Sequence, residues 1–320
     1  MLFAAVLGGA AGALTLRAGA SLLRASALPS SRVTMSTVST ALEIEQFGCL
    51  TDNYGFLLHD STTGETAAID TPEVGPIVEA CERRGWTLTH ILNTHHHHDH
   101  AGGNAELKRR FGCTILGPAA ETAKIPTIDT PVQGGDRFTF GAHQIDVLDV
   151  GGHTLGHVAY HAADAGVAFV GDSLFALGCG RLFEGTPAQA WASLQRLAAL
   201  PPDTKVYCAH EYTEANLRFA LTVDPGNPAL QSRAIEIAEL RAAGKPTCAL
   251  GSGPIFIFPV EPLTRTPIPR DRVPTSIGLE LATNPFLRPQ SETMRRHLAV
   301  PEEESDEATF ARIRKMKDNA

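Results

Sequence analysis

Residues 94–100 read THHHHDH, at the end of the short apolar stretch THILNTH (89–95). This run constrains the fold more than any other segment. It is internal, it is interrupted by an aspartate, and a helix pattern stopped by Gly112 follows it (NAELKRRFG, 104–112). Those features argue against an expression tag or a structureless histidine tract. On an extended segment His95 and His97 point the same way, and Asp99 and His100 turn away from them. Such a run can serve two metal ions, one on His95 and His97, the other on Asp99 and His100. Imidazole nitrogens with carboxylate oxygens suit zinc, and also iron or manganese.

Each ion needs further ligands. The chain alternates strand and helix patterns, and chemistry-bearing residues recur at the strand ends, where loops can gather them on one edge of a sheet. FGCLTDNYGFLLHD (47–60), TAAID (66–70), CTILGP, HQIDVLDV, GVAFVGD (166–172) and KVYCAH (205–210) read as strands. GPIVEACERR (75–84) and PAQAWASLQRLAA (187–199) read as helices, the second with Pro187 near its start. Candidate further ligands are His153 in GGHTLGH, Asp172 in VGDS and His210 in YCAHEYT. Asp172, at a strand end, is placed to bridge two ions. His96 and His98 alternate with the ligands and should face away. His157 reads as a hydrogen-bonded group, either structural or supporting the ligands from behind, and His59, His90, His143, His161 and His297 carry no ligand spacing.

Beyond residue 210 the pattern turns helical: EYTEANLRFALT, then NPALQSRAIEIAELRAAG (227–244) with Asn227 as cap and Gly244 as stop, then DEATFARIRKMK (306–317). The expected domains are 43–210 and a helical 211–320. Residues 248–272, proline-rich and apolar without helical period, read as an inserted loop or a translated intron.

A net charge of -8 and the lack of a basic stripe argue against nucleic-acid binding. The six scattered cysteines suit free thiols. Residues 1–42 contain no Asp or Glu, while Arg17, Arg24 and Arg32 lie among Ala, Leu, Gly and Ser. That composition predicts a disordered targeting segment for the mitochondrion or another organelle, with Met35 as a second start for a cytosolic form. The apolar run ends at Arg17, short of the ~20 residues a membrane span needs. A monomer is expected.

THxHxDHAGGN resembles the signature of the metallo-β-lactamase superfamily, which implies an α/β fold, an αββα sandwich with metals at one edge. GDSLFALGCGRLFEGT (171–186) and YCAHEYTEANLRFA (207–220) resemble the glyoxalase II, or hydroxyacylglutathione hydrolase, family. The resemblance covers about 43–247 and resumes at 273–320. It implies one divalent metal on His95, His97 and His153, a second on Asp99, His100 and His210, and Asp172 bridging them. Asp99 and Asp172 are then the catalytic carboxylates. It implies glutathione contacts from Arg181, Phe183, Tyr212, Arg314 and Lys317. The implied reaction is hydrolysis of S-(2-hydroxyacyl)glutathione, typically S-D-lactoylglutathione, by hydroxide held between the metals. The products are D-lactate and glutathione, the second step of methylglyoxal detoxification. Some members carry Tyr where Phe183 stands, which removes one hydroxyl contact of about 0.5–1.5 kcal/mol. The alternative is a persulfide dioxygenase-like enzyme of the same fold with a single iron.

Overall fold

The computed structural model describes residues 42–125, 127–242, 249–250, 272–273 and 275–320. Strands β1 (Leu42–Cys49), β2 (Asn53–Asp60), β3 (Thr66–Ile69), β4 (His90–Leu92), β5 (Thr114–Pro118) and β6 (Thr130–Val132) form one sheet in that order. The β1–β2 and β2–β3 pairings are antiparallel and the next three parallel. Parallel neighbours need crossovers. Helix α1 (Val74–Arg84) supplies one between β3 and β4. The short α2 (His98–Ala101) and α3 (Asn104–Phe111) lie between β4 and β5.

The second sheet begins with β7 (Arg137–Phe140), β8 (His143–Asp149), β9 (Val158–Ala162) and β10 (Val167–Gly171), each antiparallel to the one before. A small hairpin, β11 (Leu174–Phe175) with β12 (Gly178–Cys179), and helix α4 (Pro187–Ala198) lead to β13 (Lys205–Cys208), parallel to β10. Helix α4 starts on a capping box between Thr186 and Gln189 with Pro187 in its first turn. Helices α5 (Thr213–Val223) and α6 (Pro228–Ala242) follow, then β14 (Ala249–Leu250) paired with β15 (Arg272–Val273). Strand β16 (Thr275–Ser276) closes the second sheet beside β13, ahead of α7 (Ile277–Thr283), α8 (Glu292–His297) and α9 (Asp306–Asp318).

The period-2 rule assigns the faces of the first sheet. Phe56, Leu58, Ala67, Ile69, Leu92 and Leu116 join the core shared with the second sheet. Their alternates Leu57, Ala68, Ile91 and Ile115 join Ile77 and Leu107 of α1 and α3 in a separate cluster. Phe56 meets Phe169 and Tyr207 across the sandwich, ring centroids 5.7 and 5.5 Å apart. Leu194 and Leu197 of α4 belong to the shared core, and Trp191 lies against Phe310 of α9. Each fully buried side chain of this size stabilises by about 1.5–3 kcal/mol. The architecture is the αββα sandwich that the sequence led us to expect, with a helical C-terminal region.

Several expectations change. Residues 47–60 are not one strand: β1 and β2 are a hairpin turning through Leu50, Thr51 and Asp52, with Leu50 at φ +49. Strand β9 is buried at every position, so it offers no alternation to read. The histidine run is not extended throughout, because residues from His98 make a helical turn. Residues on both sides of position 210 pack into one core: β16 completes the second sheet, and Phe219, Phe286 and Phe310 share the main cluster. Asn227 caps α6 as expected, accepting from the N–H groups of Ala229 and Leu230. The targeting segment, Gly244 as helix stop and nearly all of the 248–272 insertion lie outside the described residues.

Candidate metal centre and adjoining cleft

Five strands deliver the site. Asp70 follows β3, the histidine run follows β4, His153 lies in the loop after β8, Asp172 follows β10 and His210 follows β13. At the end of β10, Gly171 has φ +49, and a Cβ there would stand 2.6 Å from Thr94 Oγ1 and 2.8 Å from His157. Only glycine allows that approach.

All seven predicted ligands come together, six of them in two groups of three with Asp172 between. His95, His97 and His153 form the first, and Asp99, His100 and His210 the second. In the first, Nδ1 of His97 lies 3.0 Å from Nε2 of His95 and 3.0 Å from Nε2 of His153. The other nitrogens of those two partners are committed. His153 Nδ1 donates to the carbonyl of Arg181 at 2.8 Å. Nδ1 of His95 faces Thr94 Oγ1 at 3.0 Å, and that hydroxyl donates to Asp70. The Nε2 lone pairs of His95 and His153 therefore both face the centre.

The second group has the same design. His100 directs Nδ1 to Asp70 at 2.8 Å, and His210 directs Nδ1 to Asp52 at 2.9 Å. Their Nε2 atoms face Asp99 Oδ2, 3.5 Å from each, and Asp172 Oδ1, at 3.5 and 3.3 Å. Asp172 Oδ2 turns to His153 Nε2 at 3.3 Å. One carboxylate oxygen thus faces each group. His100 Nε2 and Asp172 Oδ1 are buried without hydrogen-bond partners. Buried polar atoms left without a partner in this way fit a site that receives a cation.

The carboxylates draw positive charge to the second group, while burial keeps the first group neutral. Burial raises the Asp172 carboxyl, but His100, His210 and His153 outweigh it and hold the group well below the usual carboxylate range. Burial pulls His100 down, yet Asp172, Asp70 and Asp99 push it up to about 9. In the first group burial dominates and lowers His95, His97 and His153. These rings favour the neutral form that a metal requires. The donor set fits divalent cations.

Sequence reasoning missed the supports. Asp70, at φ +58, accepts from the Thr94 N–H and hydroxyl, both at 2.7 Å, and faces His100. Its place at the end of TAAID was the available signal. Asp52 lay hidden in an unread turn. Asn53 donates to Asp99 Oδ2 at 3.1 Å. His157, which the sequence did offer as a support, is fully buried, and its Nε2 accepts the Asp172 N–H at 3.1 Å. Replacing either ring-orienting acid with its amide, Asp70→Asn or Asp52→Asn, is expected to weaken metal binding about 10–100-fold. Competition with a chelator measures this, and wild-type affinity in both variants would discard the supporting role.

A cleft of about 360 Å³ opens beside the centre, lined by His153 and Asp172 at its base and by all five predicted substrate residues. Phe183 is 64% exposed and its ring lies 5.2 Å from that of His153. Tyr212 stacks on His210, centroids 4.8 Å apart. Lys317 donates to the Ala215 carbonyl at 3.0 Å. Arg314 departs from the picture of a free cation. It is 5% exposed, donates to the Cys179 carbonyl at 2.8 Å and pairs with Asp318 at 2.8 Å. Its guanidinium is largely spent on building the cleft wall.

Residues 60–210 match the family model of the metallo-beta-lactamase superfamily, and residues 211–251 and 269–320 that of the hydroxyacylglutathione hydrolase C-terminus. The hydroxyacylglutathione hydrolase of Rhizobium meliloti is 53% identical over 87% of this chain and 99% of its own length. That of Brucella anthropi is 51% identical over 89% and 99%. The chain belongs to the hydroxyacylglutathione hydrolase family. The crystal structure of ETHE1 from Myxococcus xanthus shares the fold, with a TM-score of 0.53, 23% identity, and 86% of this chain and 99% of that one covered. At that identity the likeness speaks for the fold alone; the oxidoreductase alternative is the weaker reading because the relatives at 51–53% identity are named as hydrolases. The relatives named above are bacterial, which overturns the expectation of a mitochondrial or other organellar location. No described helix is long and apolar enough to cross a membrane.

Proposed function

We propose that this member of the family hydrolyses the thioester of S-(2-hydroxyacyl)glutathione, S-D-lactoylglutathione above all, to D-lactate and glutathione. The observation that carries the reading is the pair of three-residue groups astride Asp172 at the base of a cleft rimmed by Arg181, Tyr212 and Lys317. His95, His97 and His153 would hold one divalent cation, Asp99, His100 and His210 the other, with Asp172 shared. Zinc suits these donors, with iron or manganese as alternatives. When bound, such a pair acidifies water and polarises a carbonyl oxygen.

The chain's own residues do the rest. Asp70 and Asp52 hold His100 and His210 with their Nε2 atoms inward. His157 holds the Asp172 backbone. Arg181 and Lys317 offer positive charge to the glutathione carboxylates, and Tyr212 offers a hydroxyl. Residues 211–320 act as the glutathione-binding part. A thiolate leaves readily, so no strong general acid is needed, and among the described residues that line the cleft Asp172 is the sole carboxylic acid. We take the working form to be a monomer, which sedimentation would test.

Metal analysis of purified protein beside a thioester assay tests the proposal. Two cations per chain and turnover of S-D-lactoylglutathione are expected; metal-replete protein without turnover would refute it. Arg181→Ala and Lys317→Ala should each raise KM roughly 5–30-fold, the loss of one charge-assisted contact, with kcat within about twofold. An unchanged KM in both would remove these cations from the substrate site.

A further inference from the structure

His96 faces away from the converging nitrogens, as its alternation in the run requires, and points into a pair of carboxylates on the far side. Its Nδ1 lies 3.0 Å from Glu121 Oε2, and its Nε2 3.6 Å from Glu184 Oε1. Glu121 is buried, and neither its Oε2 nor His96 Nδ1 has another partner among the described residues. Between them the two carboxylates grip the three consecutive residues 154–156. Oε1 of Glu121 accepts from the Thr154 hydroxyl at 2.5 Å and the Gly156 N–H at 3.1 Å. Oε2 of Glu184 accepts from the Leu155 N–H at 2.9 Å. A Cβ on Gly156 would stand 2.6 Å from Glu121 Cγ, so the approach depends on glycine. Residues 154–156 separate His153 from His157.

We propose that Glu121 and His96 are positioning residues that tie the histidine run to the His153 loop and so set the separation of His97 from His153. This rests on the metal-centre reading above. The cluster is not itself a cation site. Lys124 Nζ already sits 2.6 Å from Glu184 Oε1 and 3.5 Å from His96 Nε2, supplying the positive charge. The two ring nitrogens of His96 also serve different carboxylates, whereas a metal takes one. The device acts through the loop backbone: Glu121 grips Thr154 and Gly156 on one side and His96 on the other, one residue from both His95 and His97.

The test is Co2+ titration of the metal-free full chain, following visible absorption at each equivalent, with kcat and KM for the thioester and the urea midpoint measured alongside. Glu121→Ala is expected to weaken one of the two equivalents about 10–100-fold and to alter its spectrum, lowering kcat with KM unmoved. Glu121→Gln still accepts from Thr154 and Gly156 and should restore most of the loss. His96→Ala should act in the same direction, and the double alanine variant should be less damaged than the two losses combined, as expected for partners in one device. If Glu121→Ala fails to fold, Glu184→Ala, at an exposed position and gripping the loop only through Leu155, is expected to give a smaller shift of the same sign. Wild-type Co2+ affinity and spectrum in the alanine variants would overturn the proposal. So would a loss that glutamine leaves unrepaired and that merely follows the urea midpoint. A wild-type chain that takes up no Co2+ would instead refute the metal-centre reading beneath it.

Discussion

Asp172→Asn is expected to lower kcat/KM by about three orders of magnitude or more and to reduce bound metal below two ions per chain. The amide keeps the volume, so the fold should survive. What changes is charge and donor pattern at the one side chain that faces both groups. Asp172 Oδ1 stands 3.3–3.5 Å from His210 and His100, and Oδ2 stands 3.3 Å from His153. An amide nitrogen in either place directs hydrogens toward a position meant for a cation. It also removes the negative charge that balances a site otherwise rich in imidazole, leaving only Asp99 to face the metals. His210→Ala is the companion experiment. It spares the first group and should lose most activity through the second. Metal content and thioester turnover measure both, and a fully active, fully loaded Asp172→Asn protein would end the bridged-pair account.

The second large effect concerns stability. Glu280 is completely buried and pairs with the nearly buried Arg233 at 2.6 Å, joining α7 to α6. Its Oε2 accepts from the Leu177 N–H at 2.8 Å and from Asn284 Nδ2 at 2.9 Å. Leu177, at φ +60, is in the turn of the β11–β12 hairpin, which places Phe175 and Cys179 in the cleft wall. Glu280→Ala leaves the guanidinium buried without its counter-charge and strands the Leu177 N–H. A destabilisation of about 3–5 kcal/mol is expected. The attraction alone would not set that figure, because burying the two charges costs nearly as much as their pairing returns. The penalty comes from the partner left behind. Accordingly Arg233→Met with Glu280→Leu should recover part of the loss. Urea denaturation decides the matter, and a wild-type midpoint for Glu280→Ala would show the pair to be inert.

The C-terminal family match is interrupted between residues 251 and 269. This gap lies inside the 248–272 segment that broke the helical pattern. Strands β14 and β15 pair across it, Ala249 with Val273 and Leu250 with Arg272. The chain therefore leaves and returns at one place, the geometry that lets a loop lengthen at little entropic cost. Peptide mass spectrometry distinguishes a translated insertion from an intron: native peptides from inside the segment support the first, and a peptide joining Thr247 to Val273 the second.

Side-chain chemistry that is local in the chain was legible from the sequence alone. Spacing within THHHHDH separated His95, His97, Asp99 and His100 from His96 and His98, because neighbouring side chains along a backbone diverge in fixed directions. Strand ends pointed to His153, Asp172 and His210, because loops leaving a sheet share its edge. Only the tertiary structure decided which acid supports which ring, Asp70 for His100 and Asp52 for His210, since those pairs are 30 and 158 residues apart. Likewise only packing revealed that Arg314 builds the cleft wall and that Glu121 anchors the His153 loop. A charge in the sequence does not say what it will meet; burial, and the hydrogen bonds that burial makes obligatory, settle that.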